Sequence, residues 1–264
     1  MIMSLASCST YRYIFSASPP NNPYFSKKGE SKISGYYSDG GTNRLYGEKA
    51  NGFDLHGAYA LSDHWAITTG YFKRNERDVF EYSRNRSPFD SSVVHYERNL
   101  YNIGGGYFTT INSKKTITLN LFAGVGFGKF AMDDDGTNNG ALYSRKHSSD
   151  ITRYYFQPAL NFSPYPFFRF SFVLKTSLVH YKNSNTSYTA SEQEYFSLDQ
   201  INDRVKAISE PAVNIQLGLP QYPWVKLDAT LSGASNPFSA ESHLQVRGNN
   251  ASIGLSFDLS KLKK

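Results

Sequence analysis

The sequence predicts an all-β protein: an antiparallel up-and-down transmembrane β-barrel of about ten strands, with eight or twelve as the alternatives. Three observations lead there. Stretches of the chain alternate apolar and polar side chains with period two. The links between those stretches are alternately short and long. Aromatic residues reach 16% of the 264 residues, yet mean hydropathy is −0.49, and we find no run of ~18 apolar residues of the kind a membrane helix needs.

The alternation comes first, because successive side chains of a strand point to opposite faces. In residues 116–127, Ile117, Leu119, Leu121, Ala123, Val125 and Phe127 share one face. In 167–178, Phe168, Phe170, Phe172, Leu174 and Leu178 do so, opposite Arg169, Ser171, Lys175 and Ser177. In 252–259, Ile253, Leu255, Phe257 and Leu259 oppose Ser252, Gly254, Ser256 and Asp258. The same grammar places ten strands near 31–38, 51–61, 64–74, 94–108, 116–130, 151–162, 167–181, 209–219, 223–232 and 250–260. Several are long enough for a tilted strand to cross a hydrocarbon layer.

The links set the topology. Ser62-Asp63, residues 112–115, residues 163–166 and residues 220–223 are short; 75–93, 131–150, 182–208 and 233–249 are long. Short turns at one end and long loops at the other mark a barrel of the outer-membrane kind, with the turns periplasmic and the loops extracellular. A soluble barrel alternates too, but with its apolar face inside. The loop asymmetry favours the membrane form. So do Trp65, Tyr71, Tyr101, Tyr107, Tyr165, Tyr222 and Trp224, which fall near strand ends, where aromatic girdles meet the headgroups. Lipid is therefore the expected surrounding medium, and an even strand count puts both termini on the periplasmic side. The four long loops are candidate contact sites for a surface or envelope partner. The formal charge of +6 is scattered along the chain rather than gathered on a basic face, so no nucleic-acid partner is expected.

Before the barrel, residues 1–8 read as the remnant of a signal segment. It closes on Leu5-Ala6-Ser7-Cys8, a branched apolar residue and two small ones before the sole cysteine, as in a lipobox. Cys8 is the candidate lipidation site, with a lipid anchor on the periplasmic side; an incidental cysteine in a tail is the alternative. Residues 9–30 contain Pro19, Pro20 and Pro23, which favour extended chain over helix. They read as a periplasmic linker or as a plug segment at the barrel mouth. Residues 31–260 are the barrel, and 261–264 a basic tail.

With the Leu5-Ala6-Ser7-Cys8 motif, the strand pattern over residues 31–260 resembles the small outer-membrane β-barrel proteins common in Bacteroidota-type bacteria, some of which carry lipoprotein signals. The resemblance implies insertion by the barrel-assembly machinery. Many such barrels end on an aromatic residue that this machinery reads; here Phe257 is the candidate, followed by the basic tail.

The polar face of the strands supplies the candidate lumen. Lys32, Asp54, His56, Arg153, Arg169, Lys175, Glu210, Lys226, Asp228 and Asp258 fall on it, with both signs of charge. A barrel of about ten strands has little space beyond its own side chains, and opposite charges enclosed there are expected to pair. The expectation is an occluded lumen and a non-enzymatic structural or interaction protein; a narrow path for a small solute is the alternative. A surface hydrolase is the third reading, built on His95, His180 and His243 with Glu97 and Glu241 near the outer strand ends. No nucleophile-elbow motif is present. The six histidines have no metal-ligand spacing, and no cofactor or metal is expected. Asp133-Asp134-Asp135-Gly136 is rich in oxygen ligands but lacks a closing glutamate, so it reads as a solvated loop tip. Gly104-Gly105-Gly106 and Gly124, Gly126 and Gly128 lie within strands, where glycine relieves crowding and permits curvature.

Overall fold

The computed structural model describes residues 12–40, 48–81, 89–236 and 244–261, which form a closed ten-stranded antiparallel barrel with a short parallel ribbon beside it. The wall strands are β2 (Ser31–Asp39), β3 (Lys49–Ala60), β4 (Trp65–Glu81), β5 (Phe89–Thr110), β6 (Ile117–Asn138), β7 (Ala141–Tyr165), β8 (Phe168–Thr186), β9 (Lys206–Leu219), β10 (Tyr222–Gly233) and β12 (Asn249–Asp258). The ribbon pairs β1 (Arg12–Ser16) with β11 (Leu244–Arg247). Sequence neighbours pair around the wall, β10 joins β12, and β12 closes on β2. Each of the ten expected segments forms the body of one wall strand.

The alternation has the orientation of a membrane barrel. Tyr101, Ile103, Tyr154, Phe156, Phe172, Leu217, Ile253 and Leu255 are exposed on the outside, whereas Asp54, Asn120, Gln157, Arg169, Gln216 and Asp228 are buried inside. Along β5 and the residue after it, the apolar belt runs from Tyr101 to Ile111. Those ten steps at ~3.3 Å each, with a strand tilt of ~40°, rise about 25 Å, the height of the apolar band on an outer-membrane barrel. Aromatic pairs mark both edges. Near the short turns, Trp65 packs edge-on to Tyr107 at 5.8 Å and Trp224 stacks on Phe257 at 6.2 Å. At the other edge, Tyr71 lies 5.6 Å from Phe53 and 4.6 Å from Tyr101 between ring centroids.

The long links are not mainly loop. Residues 131–138 and 141–150, expected as loop, continue β6 and β7 as a paired hairpin. It turns on Asn139 and Gly140, whose φ of 49° and 78° suit a tight hairpin turn. Residues 75–81 and 89–93 likewise extend β4 and β5. The cause is a reversal of polarity along each strand. Beyond the belt the outside meets water, so His95 and Glu97 point out while Val94 and Tyr96 are buried inside. Within the belt, Tyr101 and Ile103 point out and Asn102 in. The link over 182–208 holds the helix α1 (Ala190–Tyr195) and a 3-10 turn at Leu198–Gln200. The link over 233–249 holds β11. Residues 82–88 and 237–243, parts of two of these links, lie outside the described residues, as do Cys8 and 262–264.

Two glycines make room at mid-height. Gly104 and Gly124 face each other across β5 and β6 and point inward. A Cβ at either position would collide with the hydroxyl of Tyr155, which reaches across from β7. We therefore expect Gly124→Val to destabilise the barrel by at least about 1–3 kcal/mol through overpacking. Urea unfolding in detergent measures this, and adding Tyr155→Ala should recover part of the loss.

Candidate functional site in the barrel lumen

The lumen is occupied by the chain's own N-terminal segment. Residues 12–25 are buried or half-buried throughout. For most of this length the segment has no neighbouring strand, so its backbone groups must find other partners or be absent. Both solutions are used. Pro19, Pro20 and Pro23 have no N–H to satisfy, and their fixed φ keeps the chain extended. The carbonyls accept from wall side chains: Ile14 from Arg98 Nε at 3.0 Å and Tyr181 Oη at 2.7 Å, Asn21 from Gln157 at 3.0 Å, Pro23 from Asn120 at 2.7 Å. Arg98 also donates to the Tyr13 carbonyl.

Three tiers of packing hold the segment. At the short-turn end, Phe25 packs edge-on to Phe108 at 5.8 Å, with Ala60, Ala66 and Phe122 around it. At mid-height the contacts are polar and charged. Lys175 donates to Ser18 Oγ at 3.1 Å and pairs with Glu210 at 3.0 Å. Asn21 donates to the Gly57 and Thr69 carbonyls, and Asn22 bonds Asn120 and Asn161. At the long-strand end, Ile14, Phe15 and Ala17 join an apolar core with Phe72, Val94, Tyr96, Leu100, Phe130, Met132, Ile151, Val179 and Tyr181.

All the charged lumen residues named from the sequence face inward, and the structure brings them into contact. Arg74 pairs with Asp54 at 2.9 Å, and Arg153 with Glu210 at 3.6 Å. Asp228 accepts from Tyr36 and Gln216 and lies 3.7 Å from Lys32. Asp258 gathers Lys226 at 2.8 Å, Arg169 at 3.4 Å and Lys261 at 3.0 Å. His56 packs against the Tyr36 ring. Between Ser18, Asn21, Asp54, His56, Arg153 and Lys175 lies a cavity of about 30 Å³, room for about two water molecules.

A second charged cluster, not anticipated from the sequence, clamps β1. Glu76 accepts from Arg98 at 2.6 Å, from Arg247 at 3.1 Å and from the Ser16 hydroxyl. Arg247 makes a two-pronged contact with Asp78, 2.7 Å to each oxygen. Higher still, Arg12 donates to Asp134 at 2.6 Å and lies over the Phe196 ring. Glu76 and Asp78 keep the inward phase of Phe72 and Arg74, a signal that assigning 75–93 to a loop conceals.

The segment after β8 folds over the mouth. Thr189 and Glu192 form a capping box at the start of α1, and Arg145 donates to Glu192 at 2.9 and 3.0 Å. Tyr188, Phe196, Leu198 and Ile201 are buried beneath. Burial works against the Glu192 charge, but the bonds from Arg145 and Thr189 outweigh it and hold this carboxyl below its usual pKa. Burial pushes Tyr188 up, and its bond to Asp134 adds to the effect. Burial lowers His147, in the hairpin above the belt, to about 4.

Among the described residues, those of the hydrolase reading do not converge. His95 and His180 lie on β5 and β8, separated by β6 and β7, and neither is buried. His243 and Glu241 lie outside the described residues. Asp133–Gly136 is ladder rather than a loop tip, with Asp134 turned inward to Arg12. Among the described residues no cluster of histidine, cysteine and carboxylate side chains has the geometry to hold a metal ion.

Two expectations follow. Glu76→Ala leaves the buried Arg98 and Arg247 without their shared acceptor and should cost about 3–5 kcal/mol. Urea unfolding checks this, and adding Arg98→Ala should cost less than the two single changes combined. Folding lowers the pKa of His147 from 6.5 to about 4. Its neutral form therefore contributes stability that is complete above about pH 6.5 and declines as pH falls toward 4. The pH dependence of unfolding should flatten in that window in His147→Gln.

No protein family's sequence profile matches the chain, and no curated protein matches it by sequence. Solved structures do match in fold. The translocator domain of the autotransporter NalP from Neisseria meningitidis aligns with 87% of this chain and 88% of its own, at 10% identity and a TM-score of 0.50. The outer membrane protease OmpT from Escherichia coli aligns with 89% of this chain and 98% of its own, at 11% identity and a TM-score of 0.43. Ail, the attachment invasion locus protein of Yersinia pestis, aligns with 87% and 98% at 14% identity and a TM-score of 0.31. At these identities the likeness is one of fold: the chain has the β-barrel architecture of outer-membrane proteins.

Proposed function

We propose that this chain is an integral β-barrel of the bacterial outer membrane with a sealed lumen, and that it acts as a non-enzymatic structural or binding protein through its long-strand end. The single observation that carries this reading is the filling of the lumen. The N-terminal segment, the ion pairs around it and the apolar tiers at both ends leave a cavity of about 30 Å³ at mid-height. A solute path needs a continuous aqueous route, as in the wider barrels that form diffusion channels.

Support for the membrane setting comes from the belt of exposed Ile, Leu, Phe and Tyr side chains and the aromatic pairs at its two edges. Support for a surface role comes from the projecting part of the barrel. Its outer face carries exposed charge, with Leu142 exposed near the hairpin tip. Lys73 pairs with Glu97 there at 2.8 Å, half-exposed, and Lys146 with Asp133 at 3.5 Å, largely exposed. A projecting polar wall suits contact with a partner at the cell surface better than contact with lipid. Lipidation of Cys8 remains part of the proposal, as a second attachment beside the barrel.

Conductance in planar lipid bilayers tests the reading. The purified protein should give no steady channel current. A variant lacking residues 12–25 should conduct, provided that heat-modified gel migration shows a folded barrel. Steady current from the intact protein would replace this reading with that of a narrow solute channel.

A further inference from the structure

We infer that the chain enters its own barrel from the outer side, so that the residues preceding Arg12, Cys8 among them, are displayed at the cell surface. The inference rests on the proposed reading of the long-strand end as the outer one.

The direction of the segment is fixed by its contacts. Arg12 meets Asp134, near the tip of the β6–β7 hairpin. Ser16 meets Glu76, Ser18 meets Lys175, and Asn22 meets Asn120 and Asn161. Phe25 packs with Phe108, Ala60 and Ala66 beside the short turns. From there the chain passes Gly29, whose N–H donates to the Ala60 carbonyl, and turns into β2. The ribbon agrees. β11 precedes β12, which runs from the long-strand end toward the short-turn end, and β1 is parallel to β11.

The lengths agree as well. From Arg12 to Asn22 is ten steps of extended chain, roughly 34 Å at ~3.4 Å each. The same descent on β6, from Asp134 to Asn120, is fourteen steps along a strand tilted by ~40°, a vertical drop of about 35 Å. The segment is thus nearly straight and upright, a single pass from one mouth to the other. Asp134 lies past Phe127, the upper edge of the belt on β6, by roughly 23 Å along the strand. The chain at Arg12 has already cleared the layer that the belt occupies.

A return to the periplasm has no route. The cavity at mid-height, about 30 Å³, cannot hold a second strand beside the segment. Passage along the outside would leave backbone groups in hydrocarbon without partners. This replaces the expectation of a periplasmic N-terminus: an acyl group on Cys8 would enter the membrane from its outer face.

Epitope accessibility on intact cells tests the inference. One strain carries a short epitope between Ser9 and Thr10, a second between Asn139 and Gly140 at the hairpin tip, and a third after Lys264. The first two should bind antibody equally before and after permeabilisation, and the third only after it. A hairpin epitope that binds while the N-terminal one stays silent until permeabilisation overturns the inference and leaves the proposed function standing. Silence of both on intact cells overturns the outward assignment of the long-strand end itself. Should the inserted epitope prevent assembly, Thr10→Cys in a Cys8→Ser background carries the same question. It should react with a membrane-impermeant maleimide on intact cells, and protection until permeabilisation refutes surface display.

Discussion

The governing constraint on this fold is the hydrogen-bonding demand of a polypeptide enclosed by a closed cylinder of strands. A wall strand satisfies its backbone through two neighbours. A chain inside the wall has none for most of its length, and each unmet group would cost as much as a lost hydrogen bond. The protein meets the demand from both sides. Three prolines remove donors from the segment, and Arg98, Tyr181, Gln157 and Asn120 supply donors to its carbonyls from four different wall strands. Where the segment does find a partner strand, β11 provides it. Arg98 is occupied twice over, by the carbonyls of Tyr13 and Ile14 and by the Glu76 carboxylate.

Charge follows from the same enclosure. An isolated ion in the lumen would be expensive, so acids and bases are matched at short range, and several carboxylates serve more than one base. Glu76 joins Arg98 to Arg247, Glu210 joins Lys175 to Arg153, and Asp258 joins Lys226, Arg169 and Lys261. Each of these acids ties together residues from different strands. The ionic layers therefore resist shear of the wall as well as filling it. They are matched to one arrangement of strands, since a slip of one residue would turn the inward charges of a wall strand outward, toward lipid within the belt.

Much of this was legible in the sequence, and the reason lies in the belt. Where lipid is outside and polar side chains are inside, apolar and polar residues alternate cleanly. Strands such as 167–181 and 250–260 can then be read directly, along with the inward Arg169, Lys175 and Asp258. Beyond the belt the contrast inverts or vanishes. In β6, Asp133, Asp134 and Asp135 follow one another with no difference in polarity, although Asp134 is buried against Arg12 and Asp133 is exposed. An alternation-based reading stops there, so the projecting halves of β4 to β7 pass for loops and Glu76, Asp78 and Asp134 go unnoticed. The N-terminal segment is hidden for another reason. Its prolines announce an extended chain, but only long-range contacts such as Arg12 with Asp134 say where that chain lies.

The position of β11 has a consequence for biogenesis. β11 immediately precedes β12, and β12 is the strand whose pairing with β2 completes the cylinder. A single stretch of chain near the C-terminus therefore both shuts the wall and sets Arg247 against the acids beside β1. Sealing the seam and seating the inner rod thus draw on one and the same stretch of sequence. A barrel that closed without its rod would enclose Asp134 without Arg12 and Glu76 without the Ser16 hydroxyl, so a misassembled form would carry its own energetic penalty.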